Sequence, residues 1–168
     1  MLESHELARF EAAVLPHLDA AYTLARYLTR NDHDAEDVVQ DACVRALKYF
    51  DTFRGEGGGT SARAWLLTIV RNTYYSSRKG RRNDALTTEF DETEHSPVVA
   101  DADPEAKETL SRALDRLAPE FREVIVLREL QGLSYKEISD VAGVPVGTVM
   151  SRLSRARAHL QRVLRKGD

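Results

Sequence analysis

An all-α protein of two small helical domains joined by a flexible acidic linker is the fold class this sequence predicts, and three observations carry it. Apolar residues recur at helical spacing on both sides of residues 83–104. The few β-branched runs, such as Val124-Ile125-Val126, lie inside that helical spacing. Residues 83–104 themselves are acidic, lack periodicity and hold Pro97 and Pro104, the composition of a segment without a packed core. The chain therefore divides into an N-terminal helical domain, 1–82, a linker, 83–104, and a C-terminal domain, 105–168. Its 168 residues suffice for two small units, since domains of ~100–150 residues are common and smaller ones occur.

In the N-terminal domain, Leu7 to Thr29 is helix-forming with an interruption at Pro16. Asp34 is placed to cap a helix running to about Tyr49, with Val39, Cys43, Ala46, Leu47 and Phe50 on its apolar face. The glycine-rich stretch 55–59 forbids regular structure and reads as a mobile loop. A third helix follows Ser61, with Trp65, Leu66, Ile69, Val70 and Thr73 as its apolar stripe. Gly80 stands where it would end that helix early.

In the C-terminal domain, Pro104 opens a helix whose core face is Leu110, Leu114 and Leu117. Pro119 starts another through Val124, Ile125, Leu127 and Leu130, which Gly132 ends. Ser134 caps the next helix, and Glu137 completes a capping box. Residues 135–141, the turn Ala142-Gly143-Val144 and residues 146–164, with Pro145 at their mouth, then form a helix-turn-helix. Its second helix has two faces. Val149, Leu153, Ala156 and Leu160 make the buried stripe, and Gly147, Ser151, Ser154, Arg155, Ala158 and Arg162 lie opposite.

Charge distribution says more than net charge, which is 24 − 27 = −3. Residues 57–83 hold six basic side chains and no acid, and residues 141–167 hold six more and no acid. Residues 84–103 hold seven acids and no Lys or Arg. Two basic surfaces flanking an acidic segment point to nucleic acid as a partner. No apolar run approaches the ~20 residues that span a bilayer, and the first residues lack the features of a secretory signal. A cytoplasmic protein without stable membrane insertion is expected. The single cysteine, Cys43, sits among apolar neighbours and reads as a small buried hydrophobe. No metal and no cofactor is expected.

Three surfaces emerge from the residues. On the helix-turn-helix, the face opposite the core is small near its start and basic further along, which suits approach to a major groove. On the helix after Ser61, Thr68, Arg71, Tyr75, Arg78 and Arg82 form a stripe opposite the core, with Tyr74 beside it. Cations interleaved with a ring suit single-stranded nucleic acid. On the helix before it, Asp37, Gln40, Asp41 and Arg45 lie outside the apolar stripe, as a solvated face or a protein-docking face.

Three segments resemble bacterial sigma factors of the extracytoplasmic-function (ECF) type, in order and over nearly the whole chain. Asp34-Ala-Glu-Asp-Val-Val-Gln-Asp-Ala-Cys-Val-Arg-Ala resembles the polymerase-clamp-binding helix. Ala64-Trp-Leu-Leu-Thr-Ile-Val-Arg-Asn is similar to the start of the helix that meets the −10 element. Gly132-Leu-Ser-Tyr-Lys-Glu-Ile-Ser and Gly143-Val-Pro-Val-Gly-Thr-Val-Met-Ser-Arg-Leu-Ser-Arg-Ala-Arg are similar to the −35-reading helix-turn-helix.

The resemblance implies a non-catalytic specificity subunit that binds core RNA polymerase (its beta and beta-prime subunits) and promoter DNA, controlled by an anti-sigma factor. It implies that Asp37, Gln40, Asp41 and Arg45 face the polymerase clamp. Arg54, Thr60 and Ser61, in a loop that captures a flipped base, would act with Thr68, Arg71, Asn72, Tyr75 and Arg78 at the −10 element. Thr148, Met150, Ser151, Arg152, Ser154, Arg155 and Arg157 would serve the −35 element. The acidic linker would thread toward the polymerase's nucleic-acid channel. Met150 departs from the Lys or Arg of many relatives, so its contact would be apolar or absent.

Two other classes compete. An autonomous repressor or activator would use the same helix-turn-helix but leaves the stripe at 68–82 without a role. A metal-dependent nuclease would need His33, Asp34, Glu36, Asp37 and Asp41 to converge, and no second cluster supports it.

Overall fold

The computed structural model describes residues 3–53, 61–84 and 104–166, and every regular element among them is a helix. The N-terminal half contains α1 (Ser4–Val14), α2 (Leu18–Thr29), α3 (Asp32–Lys48) and α4 (Ala62–Asp84). The expected interruption at Pro16 is a single 3-10 turn, Leu15–His17, which redirects the chain from α1 into α2. Helix α2 ends at Arg30, whose φ of 60° is left-handed. That reversal leaves Asn31 extended, and Asn31 rather than Asp34 caps α3, its side chain accepting from the Asp34 amide at 2.9 Å. Asp34 sits three residues inside, where a carboxylate still favours the positive helix end.

The buried face of α3 is Ala35, Val38, Ala42 and Ala46; Ala46 and, just past the helix, Phe50 are buried as predicted, while Val38 and Ala42 take the places expected for Val39 and Cys43. Val39 and Cys43 flank it half-buried, and Leu47 is exposed. Small residues dominate this face because α2 and α4 both pack against it. Burial raises the pKa of the Cys43 thiol. Ser61 caps α4, its hydroxyl accepting from the Ala64 amide at 3.0 Å. The inward side of α4 is Leu66, Leu67, Val70, Thr73 and Tyr74, with Trp65 and Ile69 at the margin. Gly80 does not stop α4, which continues to Asp84. One glycine costs a helix only ~1 kcal/mol and does not by itself terminate it.

The C-terminal half contains α5 (Pro104–Asp115), α6 (Pro119–Ile125), α7 (Tyr135–Ala142) and α8 (Val146–Lys166). A π turn over Val126–Leu130 continues α6, with the Gln131 amide donating to the Val126 carbonyl at 3.0 Å. Gly132, with φ 69°, closes the segment as expected. The capping box at Ser134 and Glu137 forms in both directions, at 3.0 and 2.9 Å.

The halves pack directly on one another, α6 against α2 and α7 against α4, and their buried residues form one continuous cluster from Leu24 and Leu66 to Leu127 and Leu153.

Gly143 makes the turn of the helix-turn-helix with φ 70°. A Cβ there would meet no atom within 4 Å, so the only penalty of Gly143→Ala is the left-handed backbone. A loss of about 1 kcal/mol is expected, read as a lower urea midpoint with an unchanged m-value.

Candidate nucleic-acid interfaces

Helix α8 delivers the two-faced arrangement that its sequence predicts. Val149, Leu153 and Ala156 are buried, with Leu160 half-buried at the end of the stripe. Gly147, Ser151, Ser154, Arg155, Ala158 and Arg162 are all exposed. Met150 joins them at 52% exposure. Thr148 is half-buried, and its amide donates to the Pro145 carbonyl at 2.9 Å in the first turn. Arg152 is also half-buried. Arg157 is held by Glu129, its Nη2 at 2.7 Å and its Nε at 3.2 Å from the same oxygen. Arg155 is thus the exposed arginine at the centre of this face, and Arg157 is tied down at its edge.

The α4 stripe has a different surrounding from the open face its spacing predicts. Arg71 Nε donates to Glu123 of α6 at 2.9 and 3.3 Å, and the Glu123 side chain is fully buried. Burial raises the Glu123 pKa, while the hydrogen bond and charge of Arg71 oppose that rise. The Arg71 guanidinium also lies 4.5 Å from the centre of the Tyr75 ring. Tyr75 is half-buried, and its hydroxyl has no hydrogen-bond partner among the described residues. Burial, with Glu123 next, raises the Tyr75 pKa.

Thr68 folds its hydroxyl back onto the Ala64 carbonyl at 2.8 Å. Asn72 and Arg78 remain exposed, Arg78 donating to the Tyr74 hydroxyl at 2.7 Å. Tyr74 itself is buried. Arg54, Thr60, the glycine-rich stretch and the acidic linker from residue 85 to 103 lie outside the described residues. So do the side chains of Lys79, Arg81 and Arg82.

Asp37, Gln40 and Asp41 are exposed on α3, with Arg45 half-buried beside them. Arg45 reaches Asp41 at 3.6 Å, an exposed pair one turn apart that is worth little to stability. Asp37 and Asp41 also line an open groove of about 340 Å³ between α3 and α4, with Tyr74, Ser77 and Arg78 opposite. His33 and Glu36 are exposed, and among the described residues no three His, Cys, Asp or Glu side chains group as metal ligands. No helix among the described residues is long and apolar enough to cross a membrane.

Two residues absent from the sequence-based expectation hold the halves together. Arg122 is buried on α6, and its guanidinium donates to the Leu114 and Leu117 carbonyls at 3.2 and 3.0 Å and to those of Tyr27 and Leu28 at 3.1 and 3.3 Å. These carbonyls lie at or just past the ends of α5 and α2, where the negative end of each helix dipole favours a cation; that of Leu114 also accepts from the Leu117 amide at 3.0 Å. Burial lowers the Arg122 pKa. Its neighbour Glu123 holds Arg71. A charged pair directly inside Phe121-Arg-Glu-Val-Ile-Val-Leu was the available signal, because charges inside an apolar run must find partners. An aromatic cluster of Phe10, Phe50, Phe53 and Trp65 also forms, with Phe53 and Trp65 5.0 Å apart.

Comparison with known proteins agrees with this geometry. The Sigma-70 region 2 family matches residues 13–83, and Sigma-70, region 4 matches residues 107–160. The chain is 36% identical to the ECF RNA polymerase sigma factor SigE of Mycolicibacterium smegmatis, over 94% of this chain and 62% of that relative. It is 36% identical to the ECF RNA polymerase sigma-E factor of Haemophilus influenzae, over 82% of this chain and 77% of that one. The sigma factor RpoE of Bartonella quintana, solved with the anti-sigma factor NepR, superposes with a TM-score of 0.80 at 32% identity, over 94% of this chain and 97% of RpoE. CnrH, solved with the cytosolic domain of CnrY, superposes with a TM-score of 0.69 at 30% identity, over 95% of this chain and 89% of CnrH. With relatives of this identity matched across most of their own length, the chain belongs to the ECF family of RNA polymerase sigma factors.

Proposed function

We propose that the protein binds core RNA polymerase through the α3 surface and directs it to promoters, with α4 meeting the melted −10 strand and α8 reading the −35 duplex. The observation that carries this reading is the exposed face of α8. Gly147, Ser151 and Ser154 let the helix approach base edges closely, while Arg155 and Arg162 supply positive charge one and three turns further along. Thr148, Met150, Arg152 and Arg157 border the same face, Met150 offering an apolar contact such as a thymine methyl group.

On α4, Ser61, Thr68, Arg71, Asn72, Tyr75 and Arg78 would serve the −10 strand together with Arg54 and Thr60 of the preceding loop. On α3, Asp37, Gln40, Asp41 and Arg45 would dock on the clamp, at the beta-prime and beta subunits. The domains would be 1–82 and 105–168, with 83–104 as the tether between them. Catalysis would belong to the polymerase alone, and the place of action would be the cytoplasm. By likeness to RpoE, an anti-sigma factor would bind the protein and hold it inactive.

Run-off transcription over a genomic fragment library, with purified core polymerase, tests the reading. New transcripts sharing a pair of upstream elements are expected only when the protein is added. Unchanged starts, together with tight duplex binding by the protein alone, would point instead to an autonomous regulator.

A further inference from the structure

We propose that the C-terminal half carries a nucleotide site, a cleft at the junction of α5, α6 and α8 that takes a purine nucleotide bearing two or more phosphates.

The cleft has a volume of about 410 Å³, within the ~300–1,000 Å³ of small-molecule sites. Its rim is cationic. Arg116 stands in the turn after α5, and Arg155 and Arg162 stand on α8. All three are exposed, and none makes an ion pair or a side-chain hydrogen bond among the described residues. By contrast, Arg112 on α5 meets Glu108 at 3.6 Å, and Arg157 on α8 meets Glu129 at 2.7 Å. Like charges held around one cavity repel, and an anion bound between them removes that repulsion.

The floor is apolar. Leu117 is buried beneath it, and Phe121 lines the cleft on one side while packing on the core with the other. His159 lines the cleft too, and its Nε2 is buried without a hydrogen-bond partner among the described residues. Folded proteins rarely leave such an atom unpaired, so its place inside a cleft marks where a ligand supplies the partner.

These features select the ligand class. Three guanidiniums around one mouth suit more than one negative charge, and phosphate oxygens match their forked geometry. A flat base stacks on the Phe121 ring, and its polar edge supplies the partner that His159 lacks. A lone inorganic anion uses only the rim, and a fatty chain has no polar edge for His159. Arg155 belongs both to this cleft and to the face of α8 read as meeting the −35 duplex. Nucleotide and duplex therefore compete for it, a consequence that rests on that reading of α8.

Isothermal titration calorimetry of the whole protein with GDP, ADP and inorganic pyrophosphate tests the site. At least one of the two nucleotides is expected to bind about tenfold tighter than pyrophosphate, the scale of stacking one base on a ring. Arg116→Ala is expected to weaken that nucleotide about tenfold, the low end for a hydrogen bond to a charged group. Phe121→Leu keeps the floor apolar and should weaken the nucleotide without weakening pyrophosphate. Arg116 is exposed, so its variant keeps the test open should Phe121→Leu fail to fold. Pyrophosphate binding as tight as that of both nucleotides, or no binding of any of the three, overturns the proposal. So does nucleotide binding that Arg116→Ala leaves unchanged.

Anisotropy of a fluorescein-labelled duplex, carrying the upstream elements found by run-off transcription, separates this inference from the reading of α8. Displacement of the duplex by the nucleotide supports both. Nucleotide binding that leaves the duplex in place keeps the cleft and overturns the −35 role of Arg155. Equal losses of duplex and nucleotide binding in Arg116→Ala make the cleft part of the DNA track and overturn the nucleotide site.

Discussion

Arg122→Ala is expected to lower the stability of the folded protein by about 3 kcal/mol or more, at ~1 kcal/mol or more for each buried carbonyl left without a donor. Four main-chain carbonyls lose the guanidinium at once, those of Leu114, Leu117, Tyr27 and Leu28, and among the described residues only that of Leu114 keeps another donor, the Leu117 amide. The carbonyls of Leu117, Tyr27 and Leu28 sit near or past helix ends, where the helix itself supplies no further amide. The side chain is also 3% exposed, and its truncation leaves a void beside the apolar residues of α6.

Such a loss is a large share of the ~5–15 kcal/mol that holds a typical domain folded. Arg122→Lys should recover less than half of it, because one ammonium group cannot serve four carbonyls arranged around a planar fork. Urea denaturation followed by circular dichroism measures both variants. A loss below about 1 kcal/mol for Arg122→Ala would mean that water takes over the four carbonyls and that the two halves are less dependent on this residue than the geometry indicates.

Arg155→Ala is expected to reduce run-off transcription about tenfold at a promoter read by the protein, the scale on which one arginine–guanine contact discriminates. Arg155 is exposed on the side of α8 opposite its buried stripe, free of any ion pair among the described residues. Arg157 provides the contrast, because Glu129 already holds its guanidinium at 2.7 Å. Reaching a phosphate would require breaking that pair, so Arg157→Ala should reduce transcription by no more than about threefold. Equal losses for the two variants would show that α8 docks by general positive charge. A loss confined to Arg157→Ala would rotate the DNA-facing side of α8 away from Ser151 and Ser154.

Local features were legible in the sequence wherever local chemistry sets the outcome. Ser134 and Glu137 form their capping box, a helix follows Ser61, and Pro16 interrupts the first helical stretch, because each depends on groups within one turn. The cap of α3 was not legible in that way. Asn31 and Asp34 are both able to cap, and the choice follows from the left-handed Arg30, which sets where the backbone becomes extended. The face of α3 shifts for a related reason. Its stripe is chosen by two packing neighbours, and alanines at 35, 42 and 46 admit a closer approach than the bulkier alternatives.

The sequence by itself determined the helical class, the order of the helices, the helix-turn-helix and the two-sided character of α8, since these follow from spacing and from contacts within a turn or two. Tertiary structure alone decided what covers α4. A stripe of Arg71, Tyr75 and Arg78 has the same period whether it faces water, a strand or a carboxylate. Arg71 meets Glu123 across 52 positions of chain, and no periodicity in either helix encodes that meeting. It arises because a buried anion on α6 must be neutralised once the halves pack, and Arg71 is the cation within reach.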